Sequence, residues 1–351
     1  METIKEIATK GGNSPRNNGK GDNKHFTAPQ IPKLNFNGRK DPVHDTTWIV
    51  VRADFSDQGD RPLAPGTVFW ESPDVWVQSS AGINQPVPGE NNTVFATINN
   101  YGLQDATGIM VKFWWADPSL AITEATAHLI GTGFVDVPSG WSVQLQCPTP
   151  WVPVVENGGH ECLIAEAFIQ VIDPLTAPMD PMDDRHVGQK NEQLLLLQKG
   201  AKFVTKVKAV NITDGRKELR FDVQALHFDP EHPLVKMRAA SLPACIKPAG
   251  TTMPVVLQFN ESKPNFITKS ILFAERLILR GLEKVEEELV EALEHSQVTH
   301  KAHFEPWESR TLEMTGEVPE DAEVGQSYLF RIEQRIGNMV TGGYTVHVVV
   351  V

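Results

Sequence analysis

His160 and Cys162 are two residues apart, and the chemistry that this spacing suggests is nucleophilic catalysis. On a strand they point to one face, and a thiol beside an imidazole can become a nucleophile. Such a site also needs an orienting group and an oxyanion site, and no sequence motif marks either. Further Cys or His at the offsets of a structural zinc site are missing as well. We therefore favour a histidine at the entry of a strand followed by a partly buried cysteine.

The loop from residue 173 to residue 184 is a candidate calcium site because it contains four carboxylates. They belong to Asp173, Asp180, Asp183 and Asp184. Calcium takes about six to eight oxygen ligands, which clustered aspartates can supply. The spacing differs from that of an EF-hand, and the three prolines of this loop favour a stiff exposed turn instead. Both interpretations stay open.

Tryptophans are concentrated in the first half of the chain, where seven of the eight precede residue 152. Exposed aromatic rings offer apolar faces on which a sugar ring can stack. Trp114, next to Trp115, is the candidate for such a ligand-binding role. Packing inside the fold is the competing interpretation. The sequence contains no P-loop, no Gly-x-Gly-x-x-Gly after a strand, no Gly-x-Ser-x-Gly and no His-Glu-x-x-His, so we predict no catalytic residues, no enzyme activity and no cofactor.

Period-two alternation of apolar residues dominates the chain and predicts a mainly β protein. Residues 93–98 alternate, then a turn at Asn99–Gly102 follows, and residues 109–115 alternate again. Such alternation around a Gly/Asn break is typical of paired strands with one buried face. Strands at similar spacing are predicted over 74–78, 92–99, 108–116, 125–135, 140–147, 161–172 and 185–197. A break at Lys199–Gly200 ends this first domain, for which we assign residues 46–198.

Residues 70–198 resemble the bacterial cell-adhesion-related modules called CARDB. The resemblance is carried by the segments Asn99–Gly102, Ala106–Pro118, Gly159–Ala165 and Asp184–Asn191. It implies an Ig-like seven-stranded sandwich and a binding role, although a fold does not fix a function. Such modules commonly belong to exported proteins. The N-terminus shows no apolar segment of a Sec signal, so we expect a cytoplasmic location or export by a route without such a signal.

The second half, residues 199–351, repeats the alternation and predicts a second Ig-like β-sandwich. Within it, residues from about 270 to 296 show apolar spacings of three and four, which predict one long amphipathic helix. Its apolar stripe consists of Ile278, Leu282, Val285, Leu289 and Leu293. The stripe either packs within the protein or docks onto a protein partner or a second copy.

Composition limits the partners. The net charge of −12 argues against general affinity for nucleic acid or anionic membranes, and no apolar run is long enough to span a bilayer. Residues 1–45 are rich in Gly, Asn, Lys and Pro and are predicted to be a flexible tail. Three cysteines are too few for a disulfide framework, so free thiols are expected. We therefore expect a non-enzymatic interaction or structural protein that binds a protein partner or self-assembles; the alternative is a carbohydrate-binding protein.

Overall fold

A computed structural model describes residues 44–154, 161–226, 247–248, 253, 255–259 and 297–351. Within these ranges the chain forms strands, turns and bends and no α-helix, which confirms the prediction of a mainly β protein. None of these ranges offers a helix long and apolar enough to cross a membrane. The helix predicted at about 270–296 lies outside the described residues, as does the predicted tail apart from residues 44 and 45.

Eight strands form the first half of the fold. They are β1 (Ile49–Val50), β2 (Val75–Gln78), β3 (Thr93–Asn100), β4 (Ala106–Ala116), β5 (Ala127–Val137), β6 (Ser142–Gln146), β7 (Cys162–Phe168) and β8 (Val187–Lys190). β1 and β2 pair along one edge of β3 and β6 pairs along the other, while the second sheet has the order β5-β4-β7-β8. We call these two sheets the N-terminal sheet pair.

One core lies between the two sheets, and the alternation seen in the sequence builds it. Residues of β3 and β4 that share a face meet there, as residues two apart on a strand do. The apolar residues that these two strands contribute to the core are Val94, Ala96, Ile98, Ala106, Ile109, Val111 and Phe113. The predicted strands around them therefore lie within a few residues of the observed ones.

Strand β7 departs from the alternating pattern because all seven of its residues are buried. The segment of residues 169–186 accounts for this burial. It crosses the outer face of the sheet, where Leu175 and Met179 pack with Ile164. A strand covered on both faces buries the residues of both phases.

Nine strands follow in the second half. They are β9 (Glu192–Leu197), β10 (Lys202–Val210), β11 (Lys217–Leu226), β12 (Lys247–Pro248), β13 (Val255–Phe259), β14 (Gln297–Phe304), β15 (Ser309–Glu317), β16 (Gln326–Ile336) and β17 (Met339–Val350). One sheet has the order β10-β15-β13 and the other β14-β11-β16-β17-β9, with β12 beside the start of β16. These sheets also share a core, which includes Phe221, Phe330 and Tyr344. We call them the C-terminal sheet pair.

The two sheet pairs meet at Asn191, and the described residues from 44 onward belong to one compact unit. The stretch predicted as a single strand over 185–197 is divided at this residue. β8 pairs with β7 in the N-terminal sheet pair, whereas β9 pairs in parallel with β17 in the C-terminal one. The pairing of β9 thus moves the change of sheet pair from the predicted break at Lys199–Gly200 back to Asn191.

Candidate functional site

Asn191 links the two sheet pairs through four hydrogen bonds. Its side-chain Nδ2 donates to the carbonyl oxygens of Ser119 at 2.7 Å and Gly343 at 2.6 Å. Its backbone N–H donates to the Trp70 carbonyl at 2.9 Å, and its own carbonyl accepts from Thr345 N at 3.1 Å. Asn191 is fully buried, so these bonds are protected from water.

The loop after β4 extends the contact by inserting Leu120 into the core of the C-terminal sheet pair. Leu120 N donates to the Lys208 carbonyl at 2.8 Å, and Lys208 N donates to the Pro118 carbonyl at 2.7 Å. A Cβ atom on Gly342 would lie 1.4 Å from the Leu120 carbonyl oxygen, so only glycine fits there. Ser119 of this loop and Lys208 of β10 thus form a short parallel β-bridge.

Trp70 and Glu71 complete this junction. The Trp70 indole N–H donates to Thr345 Oγ1 at 3.1 Å, and its ring lies where a side chain on Gly343 would be. Glu71 accepts from Thr345 Oγ1 at 2.5 Å and pairs with Arg331 at 3.0 Å. Polar groups that are paired across a packed contact resist separation, because opening it would expose apolar surface and unpair the charges.

Cys162 lies in the junction and is not arranged as a nucleophile. The thiol is fully buried and donates to Asn191 Oδ1 at 2.7 Å. Burial raises the pKa of the Cys162 thiol far above its usual value, so the thiolate that attack requires is suppressed. Its proposed partner His160 lies outside the described residues. Both described cysteines, Cys147 and Cys162, are unpaired, as expected.

Two of the four predicted calcium ligands are brought together, but around a histidine. His186 Nδ1 lies 2.6 Å from Asp184 Oδ1, and its Nε2 lies 3.0 Å from Asp173 Oδ1. Burial acts to lower the pKa of His186, yet the hydrogen bonds to both carboxylates outweigh it and raise that pKa. Asp173 also accepts from Ile49 N at 3.0 Å and pairs with Arg185, so this buried cluster fastens β1 to the segment that follows β7.

The other two aspartates do not join this cluster. Asp180 Oδ1 accepts from Met182 N at 2.9 Å, and burial raises the pKa of the Asp180 carboxyl. Asp183 is exposed. Among the residues that the structure describes, no group of three or more His, Cys, Asp or Glu is placed to hold a metal ion. The geometry therefore gives the calcium prediction no support.

Trp114 is half-buried and bonded within its own sheet. Its indole N–H donates to Glu166 Oε2 at 3.0 Å, and the Lys112 ammonium lies 5.7 Å from its ring centre. Burial raises the pKa of the Glu166 carboxyl. These contacts hold the indole within its own sheet, with the Lys112 ammonium over one face of the ring. The five residues of the predicted docking stripe, Ile278, Leu282, Val285, Leu289 and Leu293, lie outside the described residues.

Strand register defines the end of the N-terminal sheet pair that lies away from the junction. Ala116 pairs with Cys162 at the junction, whereas Ala106, at the other end of β4, pairs with Val137. Three connections meet at this second end: the loop of residues 101–105, the turn of residues 138–141, and the turn of residues 169–173 after β7. Four large apolar side chains are exposed there: Leu103 at 57%, Trp141 at 62%, Val171 at 88% and Ile172 at 68%. We call these four residues the distal surface.

Backbone hydrogen bonds hold the distal surface in place. Asn100 N donates to the Trp141 carbonyl at 3.0 Å, and Leu103 N donates to the His44 carbonyl at 3.0 Å. The turn that carries Val171 and Ile172 is closed by reciprocal bonds between Ile169 and Asp173 at 2.9 and 3.0 Å. These apolar side chains therefore stand on fixed loops.

Sequence reasoning did not single out the distal surface. The available signal was the pair Val171–Ile172, two consecutive apolar residues directly before Asp173–Pro174. Apolar residues in a turn break the rule that turns are polar, and such a break marks a candidate contact. Trp141, which opens the predicted strand over 140–147, was taken as an ordinary member of the tryptophan set.

Comparisons with known proteins identify no family. No family model matches the sequence, and no curated protein matches it. Solved structures with a weak similarity include the following two. Red sea bream transglutaminase is 11% identical, with 79% of this chain and 31% of that chain covered and a TM-score of 0.20. The CupB6 tip adhesin from Pseudomonas aeruginosa is 8% identical, with 76% of this chain and 91% of that chain covered and a TM-score of 0.19. At such TM-scores neither similarity supports an argument about this chain.

Proposed function

We propose that this chain is a non-enzymatic interaction protein made of two Ig-like β-sandwich modules, the first of them CARDB-like. The N-terminal module binds a protein partner through the distal surface, and the C-terminal module positions it. Two sheets around one core, with mostly antiparallel pairing, are typical of such modules and support this assignment.

The observation that carries the proposal is the exposure of Leu103, Trp141, Val171 and Ile172 on fixed loops. Single exposed apolar residues are normal on any protein, but a cluster at one end of a module is typical of an interaction site. Tryptophan is also the residue type most enriched among the residues that dominate binding energy. Fixed loops lower the entropic cost of binding, because little conformational freedom is left to lose.

The groups best suited to catalysis also support a non-enzymatic role. The Cys162 thiol is bonded inside the junction, and His186 is held between two carboxylates in a buried cluster. Neither group is presented to a substrate. The hydrogen bonds of Asn191 and the insertion of Leu120 hold the two modules together, as a positioning role requires.

Site-specific photo-crosslinking tests the proposal. A photoreactive amino acid replaces Trp141 in the full chain, and in a matched control it replaces Trp307, which is also 62% exposed but belongs to the C-terminal sheet pair. We expect a discrete crosslinked protein from position 141 in native lysate and none from position 307. Identical products from both positions, or none from position 141, would contradict the proposal. Retention of the native protein on a glycan array, lost in Trp141→Ser, would instead indicate the carbohydrate-binding alternative.

A further inference from the structure

Exposed carboxylates border the distal surface in the part of the chain that the structure describes. Asp45, Asp105 and Asp136 are exposed at this end of the N-terminal sheet pair. Two of the carboxylates are fixed: Asp105 Oδ1 accepts from Ser139 N at 2.8 Å, and Asp136 Oδ1 accepts from Gly108 N at 2.7 Å. The apolar residues are therefore bordered by negative charge.

Two of the described arginines, Arg61 and Arg185, lie near this end and are already paired, Arg61 with Asp57 at 2.9 Å. The Arg185 side chain pairs with Asp173, and its guanidinium carbon lies 3.8 Å from the Trp48 ring centre. Since Trp48 is also stacked against His44 at 3.4 Å, the guanidinium is held at the side of the surface. Arg185 thus neutralises the buried Asp173 rather than the exposed carboxylates.

A second copy of this chain is a poor occupant of such a surface. A two-fold symmetric contact would place the same patch on both sides. The carboxylates of one copy would then face those of the other, and like charges brought together oppose association. The net charge of −12 adds to this repulsion.

We propose that the occupant of the distal surface is a segment of another protein in which an apolar side chain is flanked by lysine or arginine. This inference rests on the proposed function and adds the chemistry of the partner. The apolar side chain packs on Leu103 and Trp141, while the cations meet Asp105 and Asp136. Charge of this kind favours the correct partner and speeds its encounter, and the apolar contact supplies most of the affinity.

Two synthetic peptides serve as probes, acetyl-Lys-Lys-Leu-Trp-Lys-Lys-amide and its counterpart with glutamate in place of lysine. Binding to the full chain is measured by calorimetry at low and at high salt. We expect the lysine peptide alone to bind, with lower affinity at high salt. The double variant Asp105→Asn, Asp136→Asn keeps the side-chain oxygens that accept from Ser139 N and Gly108 N but removes their charge. It should weaken peptide binding about threefold to tenfold. Leu103→Ser with Trp141→Ser should weaken it by more than about tenfold.

Matched controls separate local effects from general ones. The control double variant Glu320→Gln, Asp321→Asn changes the net charge by the same amount as Asp105→Asn, Asp136→Asn. Its two residues are exposed on the C-terminal sheet pair, so it should leave the affinity for the lysine peptide unchanged. Equal loss in both charge variants, equal binding of both peptides, or no binding at millimolar peptide overturns the inference. Dimerisation in sedimentation that disappears in Trp141→Ser also overturns it, in favour of a second copy. A protein crosslinked at position 141 equally well after Asp105→Asn with Asp136→Asn preserves the proposed function while refuting the charged partner.

Discussion

Leu120→Ala gives the sharpest test of the junction. Leu120 belongs by sequence to the N-terminal sheet pair, yet it is fully buried in the core of the C-terminal one. Replacing it removes apolar contacts and leaves a cavity, because the surrounding strands can relax only in part. Buried Leu→Ala changes destabilise proteins by about 2–5 kcal/mol. A value of about 3 kcal/mol corresponds to a fall in Tm of about 6 °C for a unit of this size.

The assay compares two probes of thermal unfolding. Tryptophan fluorescence reports mainly the N-terminal sheet pair, since seven of the eight tryptophans precede residue 152, whereas far-UV circular dichroism reports both pairs. If the junction couples the pairs, the two transitions coincide in the native protein. In Leu120→Ala both should then shift together to lower temperature.

Leu103→Ala is the matched control, because the same side chain is removed from an exposed position. Such surface changes usually alter stability by less than about 0.5 kcal/mol, which is about 1 °C here. A shift in Leu120→Ala no larger than in Leu103→Ala would refute the insertion of Leu120 into the C-terminal core. Two separate transitions in the native protein would refute the coupling.

Three further predictions concern buried groups. The pKa of His186 is raised on folding, so its stabilising contribution is full below about pH 6.5 and is lost as pH rises through the folded pKa. Urea unfolding should therefore show the free energy of unfolding falling from pH 6 towards pH 8, and His186→Gln should make that fall smaller. An unchanged pH dependence in the variant would contradict this. Cys162 should resist iodoacetamide at neutral pH until urea unfolds the chain, which site-resolved mass spectrometry measures; rapid native labelling would show that the thiol is accessible. Trp114→Phe removes the indole N–H that donates to Glu166 and should lower the free energy of unfolding by about 1–3 kcal/mol. Trp141→Phe is the exposed control. If urea titrations give both variants the same free energy of unfolding, the bond contributes nothing.

The alternation of β3 and β4 was sufficient to predict the β class and the approximate positions of the first strands. It succeeded because the apolar residues of one phase face the shared core, as Val94, Ala96 and Ile98 do, while several residues of the other phase are more exposed. Alternation says less at β7, which was predicted as a strand over 161–172. Residues 169–186, the segment directly after it, cover its second face, and a single sequence does not show that a segment folds back over a strand. Asn191 was missed for a related reason. Its hydrogen bonds join groups far apart in sequence, and an asparagine among polar neighbours, between Lys190 and Glu192, carries no local sign of its role.

Candidate sites were harder to predict than strands, since residue type shows what a side chain can do but not what it touches. The carboxylates of Asp173 and Asp184 were grouped correctly as neighbours, yet His186 between them turns a possible metal site into a structural cluster. Cys162 was expected to be partly buried and inert. The structure agrees on its burial and gives a physical cause, the bond to Asn191. Trp141 is 62% exposed, whereas Trp114 is half-buried and bonded to Glu166, a difference that composition cannot reveal.

The junction and the distal surface lie at opposite ends of the same strand, and this arrangement separates their tasks. β4 contains 11 residues, which at about 3.4 Å per residue is roughly 37 Å. A partner bound to Leu103 and Trp141 would therefore be far from Asn191, and its direct contacts would not need the C-terminal sheet pair.

The junction can nevertheless matter for binding in a cell, because a fixed second module sets the direction in which the distal surface faces. A loose linker would let that surface sample many directions, whereas the bonds of Asn191 and the packing of Trp70 on Gly343 allow few. In the proposed function, the distal surface supplies binding strength and the junction sets binding direction.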